Sequence, residues 1–147
     1  MRQLIDITDA AGAVQAKDWL LRAEAVHRQL RPQLPSDYAA AMQAVFAGGA
    51  RMTVASDGEQ VVGVAVWRLL MKTSAGLELY VDDLVTADAV RSSGVGAQLL
   101  ARLEAQARAS GCTQLTLDSG TQRERAHRFY FREGMTIAAY HFVKPLR

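Results

Sequence analysis

The sequence has little of what disulfide or metal chemistry requires. Its 147 residues include one cysteine, Cys112, and three histidines, His27, His127 and His141. One cysteine cannot form an internal disulfide, and the histidines lie too far apart to show ligand-like spacing. We therefore predict no metal site, and we interpret Cys112 as a small buried residue near a helix end.

Long apolar runs, a targeting pattern and an excess of charge are also missing. No run approaches the ~20 apolar residues of a membrane-spanning helix, and the first residues lack the basic-then-apolar order of a signal peptide. The 17 Lys and Arg residues nearly balance 15 Asp and Glu residues, which gives a net charge of +2. That charge is too small to argue for nucleic-acid binding. The sequence thus favours a cytoplasmic protein with no membrane and no nucleic acid as partner.

The residues that are present are typical of one globular domain. Half of them are hydrophobic and 22% are charged, so a chain of this length can bury a sizeable core. We find no internal repeat, low-complexity segment or linker. We predict a single domain over residues 1–147.

Hydrophobic periodicity predicts an α/β (α+β) fold. Asp9 or a neighbour would cap a helix that runs to about Gln29, and Ser36 or Asp37 would cap a second helix that ends at Gly48. Asp57-Gly58 predicts a tight hairpin. Strands are predicted at residues 3–7, 51–56, 60–70, 77–85, 115–118 and 136–143, with later helices at 97–110 and 125–133. The crossover between the strands at 77–85 and 115–118 is long enough for parallel pairing, so the sheet is predicted to be mixed.

The junction between the strand at 77–85 and the following helix carries the clearest chemical signal. It reads Arg91-Ser92-Ser93-Gly94-Val95-Gly96-Ala97. The first turn of a helix leaves backbone N–H groups unpaired and bears partial positive charge. Glycines let a ligand approach the backbone, serines offer hydroxyls, and an arginine pairs well with phosphate. The junction therefore predicts a diphosphate site.

The sequence of this junction does not match two familiar phosphate-binding loops. A Walker loop needs Lys-Ser or Lys-Thr after its second glycine, and the dinucleotide fingerprint needs a third spaced glycine. Here Gly96 is followed by Ala97-Gln98-Leu99. On spacing alone, an ordinary glycine-containing turn between a strand and a helix remains an alternative.

Arg91-x-x-Gly94-x-Gly96-Ala97 after an apolar strand resembles the coenzyme A loop of the GNAT family of N-acetyltransferases. A second motif, Ala126-His127-Arg128-Phe129-Tyr130-Phe131-Arg132-Glu133-Gly134-Met135, resembles the helix that ends the core of that family. Together the motifs cover roughly residues 50 to 143. The resemblance implies acetyl-CoA as cosubstrate and direct acetyl transfer to a primary amine of a small molecule or a protein. It also implies that the strands around 77–86 and 115–118 are parallel and splayed.

The resemblance further implies roles for individual residues. Tyr130 matches the tyrosine that often protonates the coenzyme A sulfur, and the backbone of Leu84 and Val85 would pair with the pantetheine arm. Arg123 stands where the family commonly has an asparagine. Arg123 and Arg128 would meet the 3′-phosphate or an anionic group of the acceptor, with a solvated basic helix face as the alternative. The implied diphosphate ligands are Arg91, Ser92, Ser93, Gly94, Val95, Gly96 and Ala97.

Two carboxylates of this strand are candidates for the catalytic base. Asp82 matches the acidic residue that takes the amine proton in some relatives, and Glu78, on the same face, is the second candidate. Adjacent residues of a regular strand point to opposite faces, so Asp82 and Asp83 share one pocket only if a bulge redirects one of them. The alternative is that Asp82 is a solvated strand-end carboxylate that binds a cationic substrate.

Two other functions remain open at this level. One is a catalytically inert acyl-CoA sensor, and the other is a general nucleotide-phosphate binder. The acceptor is not specified, because protein N-termini, lysines, polyamines, aminoglycosides and aminophosphonates all satisfy the same chemistry. The oligomeric state is also open, a homodimer included.

Overall fold

Five strands form one open sheet in the computed structural model, which describes residues 1–147. They are β1 (Arg2–Asp6), β2 (Arg51–Asp57), β3 (Gln60–Lys72), β4 (Gly76–Thr86) and β5 (Gln114–Leu117). The strands lie in chain order; β1 to β4 pair antiparallel, and β5 lies beside β4 in a mixed sheet. The predicted mixed, mostly antiparallel α/β architecture is confirmed.

The helices are α1 (Lys17–Leu30), α2 (Tyr38–Ala47), α3 (Val95–Ala109) and α4 (Glu124–Arg132). A short 3-10 turn, Asp88–Val90, precedes α3. None of the helices has the length and apolar character needed to cross a membrane. The chain forms two compact units, residues 1–116 and 117–147.

The core of the first unit lies where α1 and α2 pack on β2 and β3. The apolar stripes predicted for both helices supply much of it, and each fully buried large apolar side chain contributes on the order of 1.5–3 kcal/mol. Asp37 caps α2 as predicted, since its carboxylate accepts a hydrogen bond from the Ala40 amide at 3.1 Å. The core residues are Ile7, Leu20, Ala23, Val26, Tyr38, Met42, Phe46, Ala50, Met52, Val54, Val61, Val64 and Val66.

The predicted start of α1 is wrong. The helix begins at Lys17 with Ala16 as its N-cap, whereas Asp9 accepts hydrogen bonds from the amides of Ala11 and Ala13, both at 2.9 Å. Asp side chains stabilise local turns in the same way as they cap helices. The residue type therefore marked a turn before the helix rather than the helix itself.

The predicted final strand at 136–143 is also wrong. Residues 135–147 form neither helix nor strand, and 136–147 are exposed. Alternating apolar residues raise β-propensity, but a strand is stabilised by its cross-strand neighbours. None of the pairings in the sheet includes this segment, so the local pattern did not produce a strand.

Gly63 sets the closeness of α3 to the sheet. A Cβ atom on Gly63 would lie 2.5 Å from Val95 Cγ1 and 2.8 Å from Leu99 Cδ1. Both distances are below van der Waals contact, so only a glycine allows the first turn of α3 to pack on β3 as it does. No local pattern in the sequence marks Gly63, because Val95 and Leu99 are distant from it along the chain.

We expect Gly63→Ala to destabilise the fold by about 1–3 kcal/mol, since overpacking forces neighbouring side chains or backbone to shift. Thermal unfolding measures the loss. Gly48→Ala is the matched control, because the atom nearest to a Cβ on Gly48 is Val45 O, at an ordinary contact distance of 3.4 Å. Equal melting temperatures for the two variants would show that α3 does not depend on this close approach.

Candidate active site

An irregularity in β4 shapes the candidate site. Asp83 lies opposite Val66 of β3, and Val81 lies opposite Trp67. Asp82 therefore lies between these two cross-strand pairs and has no residue opposite it on β3, so β4 has a β-bulge at this point. Both Asp82 and Asp83 line one cavity. The bulge thus allows Asp82 and Asp83 to share one pocket, although adjacent residues of a regular strand point to opposite faces.

The cavity has a volume of about 280 Å³ and belongs to the first unit. Residues of α1, the turn after it, α2, β3 and β4 surround it, and apolar and charged side chains both line it. Its lining residues are His27, Arg31, Leu34, Met42, Val45, Val66, Arg68, Tyr80, Asp82 and Asp83.

Asp83 is held by two partners from α1 and the following turn. His27 Nε2 lies 2.7 Å from Oδ2, and Arg31 donates from Nε to Oδ1 at 2.8 Å. Tyr38 OH lies 2.8 Å from His27 Nδ1. An Nε2-protonated imidazole satisfies both contacts, because it donates to Asp83 and accepts from the Tyr38 hydroxyl.

These contacts fix the protonation of Asp83. Burial opposes its ionisation, but the hydrogen bonds of His27 and Arg31 and the charge of Arg31 outweigh burial and lower the pKa of Asp83. Its side chain is 11% exposed and that of His27 is 2% exposed. Asp83 is therefore a poor proton acceptor that serves to hold its neighbours.

Asp82 has the opposite character. Its Oδ2 accepts a hydrogen bond from Arg68 Nε at 2.9 Å, and its side chain is 27% exposed. Burial raises the pKa of Asp82; Arg68 and Arg31 oppose this rise and the Asp83 charge adds to it. Two adjacent carboxyls with pKa values moved in opposite directions commonly divide the roles of proton acceptor and anchor.

Glu78 is placed away from this cavity lining. Its side chain is 1% exposed, Lys72 Nζ lies 2.9 Å from Oε1, and Thr116 donates to Oε2. Burial opposes ionisation, but the hydrogen bonds of Thr116 and Lys72 and the charge of Lys72 lower the pKa of Glu78. The structure does not bring Glu78 together with Asp82, although they lie on the same strand.

The second half of β4 has one strand partner. Leu84 and Val85 pair with Ala65 and Val64 of β3. β5 has only four residues and approaches the start of β4, where the Thr113 amide donates to Leu77 O at 2.9 Å. At ~3.3 Å per residue, β5 spans less than half of β4. The β4 edge near Leu84 and Val85 is therefore open to an extended ligand.

The glycine loop leads into α3 as the sequence predicts. Ser92 has a φ of 63° and Gly94 a φ of 89°, and Gly94 is the N-cap of α3. No side chain caps this helix start, so its first amides are available to an anion. Arg91 forms an ion pair with Asp88 and is half exposed.

Arg2 of β1 also contacts this loop. Its guanidinium donates to Ser93 O and Ser93 Oγ, both at 2.8 Å, and to Gln98 Oε1 at 3.2 Å. Arg2 thus adds a second cation and fixes Ser93. Sequence reasoning missed it because no local signal links residues that lie 91 positions apart.

The second unit carries Tyr130 on α4. Burial raises the pKa of Tyr130, and Arg123 partly opposes the rise. The phenol is therefore protonated at neutral pH, as a proton donor must be. Arg123 and Arg128 are exposed, so phosphate binding and a solvated basic face remain the two interpretations of these residues.

Taken together, the mixed sheet, the uncapped helix start after a glycine loop and the charged cavity define an α/β domain of the acetyltransferase class. A comparison with known families agrees. The Acetyltransferase (GNAT) family model matches residues 15–135. The chain belongs to the GNAT family.

Two curated relatives share part of the sequence. The N-acetyltransferase YhdJ of Bacillus subtilis (strain 168), itself described as uncharacterized, is 44% identical over 72 residues, which are 48% of this chain and 51% of YhdJ. The aminoalkylphosphonate N-acetyltransferase of Salmonella typhimurium (strain LT2) is 38% identical over 66 residues, 45% of this chain and 43% of that protein. The chain spans about half the length of the curated relatives it matches.

Solved structures share the fold. The aminoglycoside N-acetyltransferase AAC(6')-Iy in complex with CoA superposes with a TM-score of 0.83 at 15% identity, over all of this chain and 95% of that one. An acetyltransferase of Trypanosoma brucei has a TM-score of 0.78 at 20% identity, over 99% of this chain and 100% of that one. At these identities the likeness establishes the fold.

Proposed function

We propose that the protein is an acetyl-CoA-dependent N-acetyltransferase that moves an acetyl group directly to a primary amine of a small molecule. Membership of the GNAT family supports the reaction class. The observation that carries the proposal is the bulge in β4, which brings the carboxylate of Asp82 into a polar cavity. The cavity of about 280 Å³ is partly open to solvent, and its volume is close to that of sites that bind small molecules.

The coenzyme would bind along the open half of β4. The backbone of Leu84 and Val85 would pair with the pantetheine arm, and the amides of the glycine loop would hold the diphosphate. Arg91 and Arg2 would supply charge there. Arg123 and Arg128 are the candidates for the 3′-phosphate. The proposed loop ligands are Arg91, Ser92, Ser93, Gly94, Val95, Gly96 and Ala97.

The proposed chemistry assigns each proton. Asp82 takes a proton from the ammonium group, directly or through water, and the free amine attacks the acetyl carbonyl. A backbone amide at the open edge of β4 would stabilise the developing oxyanion. The new C–N bond forms as the C–S bond breaks, and Tyr130 protonates the leaving thiolate. The second proton that the nitrogen loses returns through solvent to the Tyr130 phenolate, which leaves a neutral amide. Proximity of the two bound substrates supplies a large share of the rate. Glu78, the second candidate for the base, is less suited to this role, because its carboxylate pairs with Lys72 and does not line the cavity.

An amine-panel screen tests this function. Purified protein is incubated with acetyl-CoA and single amines, free thiol is followed, and products are identified by mass. We expect thiol release that depends on the amine, with a mass gain of one acetyl group. Binding of acetyl-CoA without acetylation of any amine would instead support the inert acyl-CoA sensor.

We expect acetyl-CoA to raise the melting temperature, because a ligand that binds only the folded state at 100 times its Kd adds about 2.7 kcal/mol. Arg91→Ala combined with Gly96→Val should reduce this shift, since one change removes a cation and the other places a branched side chain at the helix start. Arg108→Ala, at the far end of α3, is the control. An unchanged shift in the folded double variant would contradict the loop assignment.

A further inference from the structure

The charges that line the cavity cancel. Two guanidinium groups, Arg31 and Arg68, stand beside two carboxylates, Asp83 and Asp82, at 2.7 Å and 2.9 Å. A cavity that binds a polycation by charge needs an excess of carboxylates, because complementary potentials guide recognition. This lining offers no such excess.

Each guanidinium also keeps donors that the protein does not use. Arg68 donates from Nε to Asp82 and from Nη1 to Gly48 O at 3.4 Å, which leaves Nη2. Arg31 donates from Nε to Asp83 and from Nη2 to Asp82 O at 3.2 Å, which leaves Nη1. Unused guanidinium N–H groups are suited to the paired oxygens of a carboxylate, sulfonate or phosphate.

The two carboxylates are not equivalent toward a ligand. Both oxygens of Asp83 are occupied, Oδ1 by Arg31 and Oδ2 by His27. Asp82 uses Oδ2 for Arg68, while Oδ1 accepts no hydrogen bond from the protein. An ammonium group would therefore bind Oδ1 of Asp82. The unused N–H groups of Arg68 lie close to this ammonium group, because Arg68 is the ion-pair partner of Asp82.

We propose that the acceptor is a small zwitterion, an amine that carries its own anionic group. Asp82 binds the ammonium end, and Arg68 and Arg31 bind the anionic end. Apolar side chains of Leu34 and Met42 cover the short carbon chain between the two ends. This inference rests on the proposed acetyltransferase function and narrows its acceptor.

Acceptors of matched length test the inference. We would measure kcat/KM for 2-aminoethyl phosphate, 3-aminopropanoate, propylamine and 1,3-diaminopropane at saturating acetyl-CoA, with rates referred to the unprotonated amine. We expect the best anionic amine to exceed propylamine by about 10- to 100-fold, the range of one or two charge-assisted hydrogen bonds. The diamine should not exceed propylamine.

Variants locate the preference. Arg68→Gln should reduce the ratio of kcat/KM for the anionic amine to kcat/KM for propylamine by about tenfold. Arg68→Lys should restore part of this ratio, since Lys keeps the charge but cannot donate two parallel hydrogen bonds. Arg22→Gln is the matched control, because this arginine of α1 contacts Glu59 O and the Trp19 ring and does not line the cavity. Its ratio should equal that of the wild type.

The outcomes separate this inference from the reaction itself. Acetylation of propylamine or the diamine at least as fast as the anionic amines would overturn the zwitterion and leave the acetyltransferase intact. A preference for anionic amines that persists unchanged in Arg68→Gln and Arg31→Gln would overturn the assigned arginines. Acetyl-CoA binding with no acetylation of any amine would overturn both proposals.

Discussion

Asp82→Asn is expected to lower turnover at neutral pH by about 10²- to 10⁴-fold, the usual contribution of a positioned general base. The pH profile should also change. The wild-type rate should fall as pH drops through the pKa of Asp82, which burial raises above its ordinary value, because the protonated acid cannot accept a proton. The Asn variant should lack this acid limb.

Stability provides the control for that experiment. A carboxyl whose folded pKa is raised contributes stability at low pH that is lost as pH rises, so a neutral Asn at position 82 should cost little at neutral pH. Asp83 is the reverse case. Its folded pKa is lowered, so its stabilisation is present above the unfolded pKa and is lost as pH falls.

Asp83→Asn should therefore destabilise the fold by about 1–3 kcal/mol, because the buried His27 and the partly exposed Arg31 lose a charged hydrogen-bond acceptor. Turnover and melting temperature of both variants form one comparison. If Asp82→Asn retained near-normal turnover and the acid limb, a water or the acceptor itself would be the better candidate for the base.

Tyr130→Phe is expected to reduce turnover by about 10²-fold or more, because it removes the proposed proton donor to the thiolate and keeps the ring. The melting temperature and the shift induced by acetyl-CoA should stay near those of the wild type. Turnover is measured with both substrates saturating. Tyr140→Phe is the matched control, since Tyr140 is 84% exposed.

Two other outcomes would assign Tyr130 differently. Near-normal turnover with an unchanged melting temperature would mean that the ring only packs, and that water or the acceptor protonates the thiolate. Near-normal turnover with a loss of about 1 kcal/mol in stability would mean that the hydroxyl satisfies a buried partner. Each outcome removes Tyr130 as the essential acid.

The sequence predicted the elements whose signals are local. The apolar stripes of α1 and α2, the Asp57-Gly58 hairpin and the junction of Gly94 with α3 all depend on residues within one or two turns of each other. Two errors came from the same source. Asp9 is a residue type that caps helices, but it stabilises a turn. The segment at 136–143 has alternating apolar residues, but it pairs with no strand.

The residue sequence by itself determined the family, the order of elements as far as α4 and the candidate loop, because those depend on periodicity and on motif sequences. Only the tertiary structure decided that Asp82 and Asp83 both line the cavity and that Glu78 does not. The bulge at Asp82 is a property of the register between β3 and β4, and the pKa difference between Asp82 and Asp83 depends on Arg68, His27 and Arg31. These partners lie 14 to 56 positions away in the chain, and no local pattern encodes such contacts, since they arise only when the packed core brings α1 and the sheet together.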